Sequence, residues 1–147
     1  MIAILIAILP SCLDGSGGFD TAGSDEEEPN GTCAEAQGPY EDGLVANGTF
    51  SSSEDQDWYL VDLSAGGDVE IRTNDVNGDD CSDADPQIDV YAADCTTYLG
   101  GNDDDAEGDT LCSGLVLSAA PGPLHVAVAP CCGVERSARY QVEVVAH

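Results

Sequence analysis

The chain reads as an all-β protein, an antiparallel β-sandwich or jelly roll of about seven to eight strands, on three observations. Apolar residues recur at every second position through one short segment after another, the mark of strands with one buried face. Turn signals rich in glycine, proline, asparagine and aspartate separate those segments at near-regular spacing: "SAGG" (64–67), "NGDD" (77–80), "LGGNDDD" (99–105) and "APGP" (120–123). No long stretch repeats apolar residues at helical spacing, and many short strands joined by such turns close into a sandwich.

The chain opens with "MIAILIAILPSC", apolar from Ile2 to Pro10. Spanning a bilayer takes about 20 residues, so this run has the length of a signal-peptide core rather than of a membrane helix. Ser11 before Cys12 makes "LPSC" resemble a bacterial lipobox, in which the chain is cut before the cysteine and that cysteine is lipidated. No Lys or Arg precedes the run, which departs from the usual pattern. Residues 1–12 are expected to be the signal peptide, with Cys12 as the lipidation site and the one link to a membrane. Residues 13–28, "LDGSGGFDTAGSDEEE", hold almost nothing to bury and repel themselves, so they read as a flexible tether. The folded domain is expected over 29–147.

Within it, "CAEAQ" (33–37) has room for one short helix, and "LVANGTF" (44–50) is the first strand expected. "DWYLVDL" (57–63) places Tyr59, Val61 and Leu63 on one face and leaves Trp58, the sole tryptophan, on the other. "DVEIRT" (68–73) turns Val69, Ile71 and Thr73 inward, with Asp68, Glu70 and Arg72 outward. "QIDVYA" (87–92) does the same with Ile88, Val90 and Ala92. "LCSGLVL" (111–117), "LHVAVA" (124–129) and "RYQVEVV" (139–145) complete the set, the last with Tyr140, Val142 and Val144 facing the core.

At 147 residues the chain has room for one domain and a short leader or linker. It carries 29 acidic residues against three arginines, Arg72, Arg136 and Arg139, and no lysine, for a formal charge of −26. Binding phosphate requires cationic side chains, so this balance argues against nucleic acid and anionic lipid as partners. It favours cations, or plain solubility. Setting Cys12 aside leaves six cysteines, Cys33, Cys81, Cys95, Cys112, Cys131 and Cys132, an even number that suits an oxidising compartment, outside the cell or in its envelope. Pairing of Cys81 with Cys95 across one turn and strand is the first expectation, the other four sharing two more bridges. Cys131 and Cys132 are adjacent and are each expected to reach a different partner. A zinc site is not expected, since there is no CxxC and only His125 and His147 could join one.

Four segments fall in a recognisable order: "EPNGTCAEA" (28–36), "NGTFSSSEDQDWYLVDL" (47–63), "DPQIDVYAADC" (85–95) running into "LGGNDDD", then "APGPLHVAVA" (120–129) and the closing "YQVEVV". This order resembles the bacterial pre-peptidase C-terminal domain, a β-sandwich commonly appended to secreted proteases and similar in fold to the collagen-binding modules of clostridial collagenases. The resemblance runs from Glu28 to His147. It implies a calcium ion held between an acidic N-terminal linker and the acidic turn before an early strand. The linker ligands would be Glu26, Glu28 and Asn30, and the turn would supply Asp55 and Asp57, with Glu54 as a substitute. Calcium takes six to eight oxygens, which two acidic segments supply only if they converge. Gly31 stands where those modules often place another acidic ligand. The plainer reading is a capped turn whose Asp side chains bond backbone N–H groups. The second acidic loop, "GGNDDDAEGD" (100–109), imitates an EF-hand start at Asp103, Asp105 and Glu107 but has Gly114 at the twelfth position, and it reads as a hairpin turn.

No enzyme is expected. His125 lies mid-strand out of phase with the core and His147 is terminal. Acid pairs are so abundant that their presence says little, and a sandwich of this size offers little cleft in which to tune them. What remains is a non-catalytic, monomeric binding module, envelope-tethered or secreted, for an extracellular polymer, protein or polysaccharide, with Tyr91 opposite the core phase and Tyr98 near a loop; the alternative for both is packing at the sandwich edges. The alternatives are an acidic accessory subunit docked to a basic envelope protein, or a calcium-stiffened spacer with no ligand.

Overall fold

A computed structural model describes residues 23–76, 81–104, 110–132 and 138–147. The signal and lipidation assignments at residues 1–12, Cys12 included, and most of the tether lie outside the described residues. In chain order the strands are β1 (Ser24–Asp25), β2 (Gln37–Glu41), β3 (Gly43–Phe50), β4 (Asp57–Leu63), β5 (Gly67–Asn74), β6 (Pro86–Ala92), β7 (Tyr98–Asn102), β8 (Gly114–Ala119), β9 (Gly122–Pro130) and β10 (Ala138–Ala146). They form two five-stranded sheets, ordered β1-β3-β10-β5-β8 and β2-β4-β9-β6-β7. The expected helix is a single 3₁₀ turn, Cys33–Glu35.

The fold is therefore the β-sandwich expected, with three additional strands and two parallel pairings at sheet edges. β1 runs parallel to β3, and β2 parallel to β4. All three additions are edge or near-edge pieces with little alternation: two residues in β1, "QGPYE" in β2 and "YLGGN" in β7. Such segments bury no continuous apolar face, so period-two reading passes over them. The fold also begins before Pro29, because Ser24 and Asp25 pair with Ala46 and Asn47.

Alternation places one core between the sheets. Leu44, Ala46, Phe50, Val69, Ile71, Tyr140, Val142 and Val144 enter from one side and Tyr59, Val61, Leu63, Ile88, Val90, Leu124, Val126 and Val128 from the other, all buried. Gly48 sits opposite Tyr140 in the β3–β10 register, and a Cβ there would clash with the hydroxyl end of the tyrosine ring. Its missing side chain lets Tyr140 lie flat and stack on Phe50 at 4.6 Å.

Two disulfides staple the sandwich, Cys33–Cys95 and Cys81–Cys112, with Cα–Cα distances of 6.1 and 5.0 Å. This corrects the expected Cys81–Cys95 pair. Those two residues flank the seven-residue β6, which at about 3.3 Å per residue holds its ends roughly 20 Å apart. Nor do Cys131 and Cys132 form a disulfide among the described residues; both remain thiols there.

Candidate functional site

The N-terminal segment and the turn before β4 meet because β1 is zipped to β3. Beyond β1, Glu26 N–H donates to Asn47 O (2.9 Å), and Glu26 Oε1 accepts from Thr49 N–H (2.6 Å). That fixes the direction of the chain through 27–30 toward the 51–57 turn. There Asn30 O accepts from Trp58 N–H at 2.9 Å. The 51–55 turn closes on itself, with Ser51 N–H donating to Asp55 Oδ2 (2.5 Å) and Asp55 N–H to Ser52 O (3.3 Å).

Three carboxylates converge as a result: oxygens of Glu28, Asp55 and Asp57 all lie within 4.8 Å of one another. Asn30, with no exposed surface, bridges two of them. Its amide end lies 3.0 Å from Glu28 Oε2 and 3.2 Å from Asp57 Oδ1, and with the nitrogen turned inward it donates to both. Glu28 Oε2 also accepts from Asn30 N–H at 3.1 Å. Glu26 interacts with Asp57 side chain to side chain. Glu54 is not brought in: it is exposed, and its N–H donates to Ser52 Oγ at 3.3 Å. The difference is the path of the turn: Glu54 sits exposed within it, whereas Asp55 and Asp57, where β4 begins, carry their carboxylates to Glu28.

Asp57 is the buried member. It shares the inward phase of Tyr59, Val61 and Leu63, so the acidic turn enters the core through a carboxylate. Tyr140 Oη donates to Asp57 Oδ2 (2.5 Å) and meets Tyr59 Oη at 2.8 Å. A hydroxyl has one proton to give, so Tyr140 donates to Asp57 and Tyr59 donates to Tyr140. Burial, and then the charge of Glu26, push the Asp57 carboxyl up to about 8, against the pull of the Tyr140 bond. Burial likewise raises Glu26, whose Oε2 is buried with no N–H or O–H donor. Two adjacent acceptors with no donor between them are satisfied in one of two ways: one acid keeps a proton, or a cation joins them. The tyrosine pair was not anticipated. Its signal was Tyr140 on an inward phase, where a buried hydroxyl must find a partner.

The donor set is entirely oxygen, the chemistry that suits a hard divalent cation. With its amide oxygen turned inward, Asn30 would face Glu28 and Asp57 as a third acceptor, an arrangement stable only around positive charge. Glu28, Asn30, Asp55 and Asp57 thus fit such an ion, with water completing its shell. Other acids take the plainer role. Asp94 accepts from Thr96 and Thr97 N–H and Thr97 Oγ1 (2.9, 2.7 and 2.7 Å), and Asp42 from Ser64 N–H and Oγ (both 2.7 Å), bonds that lower both carboxyls. Asn102 Nδ2 donates to Gly114 O at 2.8 Å in the second acidic loop, whose residues 105–109 lie outside the described set.

On the outer face of the β2-β4-β9-β6-β7 sheet, Trp58 stacks on Tyr91 at 5.3 Å, and Tyr91 meets Tyr98 edge-on at 5.6 Å. Small Ala127 pairs with Trp58 across β9, which leaves room for the two rings to meet. Tyr98 is 55% exposed, so the row runs from the acidic turn out into solvent. His125, on the same face, is buried beside the Cys33–Cys95 bridge. Those cysteines are oxidised and bind no ion.

No protein-family model matches the chain, and no curated protein matches it in sequence. Solved structures do resemble it. The pre-peptidase C-terminal domain of a collagenase from Bacillus anthracis covers 72% of this chain over 91% of its own length, with a TM-score of 0.55 and 12% identity. A periplasmic inhibitor of g-type lysozyme from Aeromonas hydrophila covers 71% over 86% of its length, with a TM-score of 0.52 and 14% identity. At these identities the likeness is one of fold, and in fold the chain is a pre-peptidase C-terminal-like β-sandwich.

Proposed function

We propose that this chain is a non-catalytic binding module of the cell envelope or exterior, stiffened by calcium, that holds an extracellular polymer on its aromatic face. The observation that carries the reading is the continuous row Trp58–Tyr91–Tyr98, rooted at the convergent carboxylates and ending in a half-exposed ring. Flat aromatic faces grip sugar rings or side-chain stems without needing charge, which suits a chain with 29 acids and three arginines. Calcium bound by Glu28, Asn30, Asp55 and Asp57 would neutralise the acids beneath that row and fix the backbone of Trp58 through Asn30. Two disulfides support an oxidising location, as do fold neighbours from a collagenase and from the periplasm. In this reading Cys12 carries the lipid. Among the described residues no helix is long and apolar enough to cross a membrane.

The test is co-sedimentation with insoluble peptidoglycan, cellulose and fibrillar collagen, in calcium and in chelator. Retention on one of them that Tyr91→Ala with Tyr98→Ala abolishes, at unchanged melting temperature, supports the reading. Retention on none of them overturns the polymer role and leaves the acidic accessory subunit, which the charge of −26 favours.

A further inference from the structure

At the end of the β6-β9 pair where Pro86 meets Pro130, a second cluster has a different chemistry. Asp85, Cys131 and Cys132 present an oxygen and two sulfurs all within 4.8 Å of one another. Asp103 Oδ2 lies 3.9 Å from Cys131 Sγ. Each ligand comes from a fixed point of the fold. Cys131 N–H donates to Asp85 O at 2.6 Å, and Asp85 N–H donates to Cys81 O at 2.7 Å, in a turn anchored by the Cys81–Cys112 bridge. Asp103 follows Asn102, the last residue of β7, whose side chain is tied to Gly114 O.

Adjacent residues of an extended strand point to opposite faces, so two neighbouring cysteines do not ordinarily share a ligand. Here β9 ends at Pro130, and Cys132 takes a left-handed φ of 56°. That turn brings its thiol round to the side of Cys131. All four other cysteines among the described residues are spent in disulfides, so neither thiol has a cysteine partner elsewhere in them. Adjacent cysteines rarely close on each other.

We propose that Cys131, Cys132, Asp85 and Asp103 form a zinc site, separate from the all-oxygen cluster. A tetrahedral zinc ion, with bonds of about 2.3 Å to sulfur and about 2.0 Å to oxygen, sets its ligand atoms roughly 3.5–3.8 Å apart. The spacings among Asp85, Cys131 and Cys132, all within 4.8 Å, exceed this by about 1.3 Å at most, and Asp103, 3.9 Å from Cys131, would complete the set by side-chain rotation. Thiolates select a borderline or soft ion over calcium or magnesium. Binding releases one proton from each thiol to solvent, leaving two Zn–S bonds and no change of oxidation state. Cys132 is exposed and provides the entry.

The test uses the purified chain with its two disulfides intact. Alkylation without reductant should modify Cys131 and Cys132 and no other described cysteine, and one equivalent of zinc should block it. Cadmium, as a spectroscopic stand-in, should give a thiolate charge-transfer band that saturates at one equivalent per chain. Cys131→Ser with Cys132→Ser should remove the band. Asp85→Asn with Asp103→Asn should weaken zinc at least tenfold, while Glu28→Gln leaves it unchanged. No alkylation after treatment with a zinc chelator means the pair is oxidised and overturns the site. So does the absence of a band, saturation at half an equivalent, or an affinity indifferent to the two aspartates.

Discussion

Removing one hydroxyl, Tyr140→Phe, tests the link between the core and the acidic cluster. The ring stays, so its packing against Phe50 and over Gly48 is kept. Two bonds go: the 2.5 Å donation to Asp57 and the 2.8 Å acceptance from Tyr59. A buried hydroxyl left without a partner costs about 1–3 kcal/mol, so Tyr59 alone accounts for roughly 1–2 kcal/mol. The Asp57 bond depends on charge. It is worth about 1 kcal/mol to a neutral carboxyl and about 1.5–3 kcal/mol to a carboxylate, and calcium bound at the cluster would keep Asp57 ionised where otherwise it holds its proton up to about 8. The variant should therefore lose roughly 2–3 kcal/mol in chelator and about 0.5–2 kcal/mol more in saturating calcium. By linkage, that difference is a roughly 2- to 30-fold weaker calcium affinity. Urea unfolding of wild type and variant, each in calcium and in chelator, reads all four stabilities. Tyr59→Phe serves as the comparison: it spares the Tyr140–Asp57 bond and should cost about 1 kcal/mol equally in both conditions. An equal loss for Tyr140→Phe with and without calcium refutes the coupling, and a loss below about 0.5 kcal/mol refutes the buried hydrogen-bond chain itself.

Asp57 also sets a pH dependence. Its carboxyl is 3.8 in the unfolded chain and about 8 in the fold, so the native state holds the proton more tightly. The stabilisation is complete below 3.8 and is lost as pH rises through about 8. In chelator, the stability of wild type minus that of Asp57→Asn should fall across this window, and a flat difference contradicts the burial argument. Gly48→Ala should destabilise by about 2 kcal/mol or more, because the new methyl meets the Tyr140 ring between two paired strands; thermal unfolding checks it. Calcium should shift Trp58 emission through the Asn30 bond, and Glu28→Gln with Asp55→Asn should abolish the response, whereas emission indifferent to the ion denies it a place at this turn.

Much of this was legible beforehand, and what was missed shares a cause. Strict alternation identified the strands that bury one face, and it placed Asp57 in phase with Tyr59, Val61 and Leu63 without its burial being drawn out. The convergence of Glu28 and Asn30 with Asp55 and Asp57 came from resemblance; their separation along the chain carries no such signal, because it depends on two residues of β1 pairing with β3. The disulfides were misjudged since β6 is a rigid spacer, which closeness in sequence conceals. Glu54 and Asp55 are indistinguishable by composition, and only the path of the turn separates them.

The Cys33–Cys95 bridge also determines how the molecule responds to being pulled. A load applied at the N-terminal end reaches β1 first, whose two residues are backed by the Glu26 bonds to Asn47 and Thr49 and by the Asn30 bond to Trp58. Once they part, the chain pays out only as far as Cys33, about 35 Å for some ten residues at full extension, and then the force crosses the disulfide to the turn between β6 and β7. The remaining nine strands are spared. Glu26, Glu28 and Asn30 all lie in the segment that yields, whereas Asp55 and Asp57 lie in the part that holds, so tension would divide the carboxylate cluster while the core stays folded. An ion bound there would join the segment that yields to the part that holds, and would raise the force at which they separate.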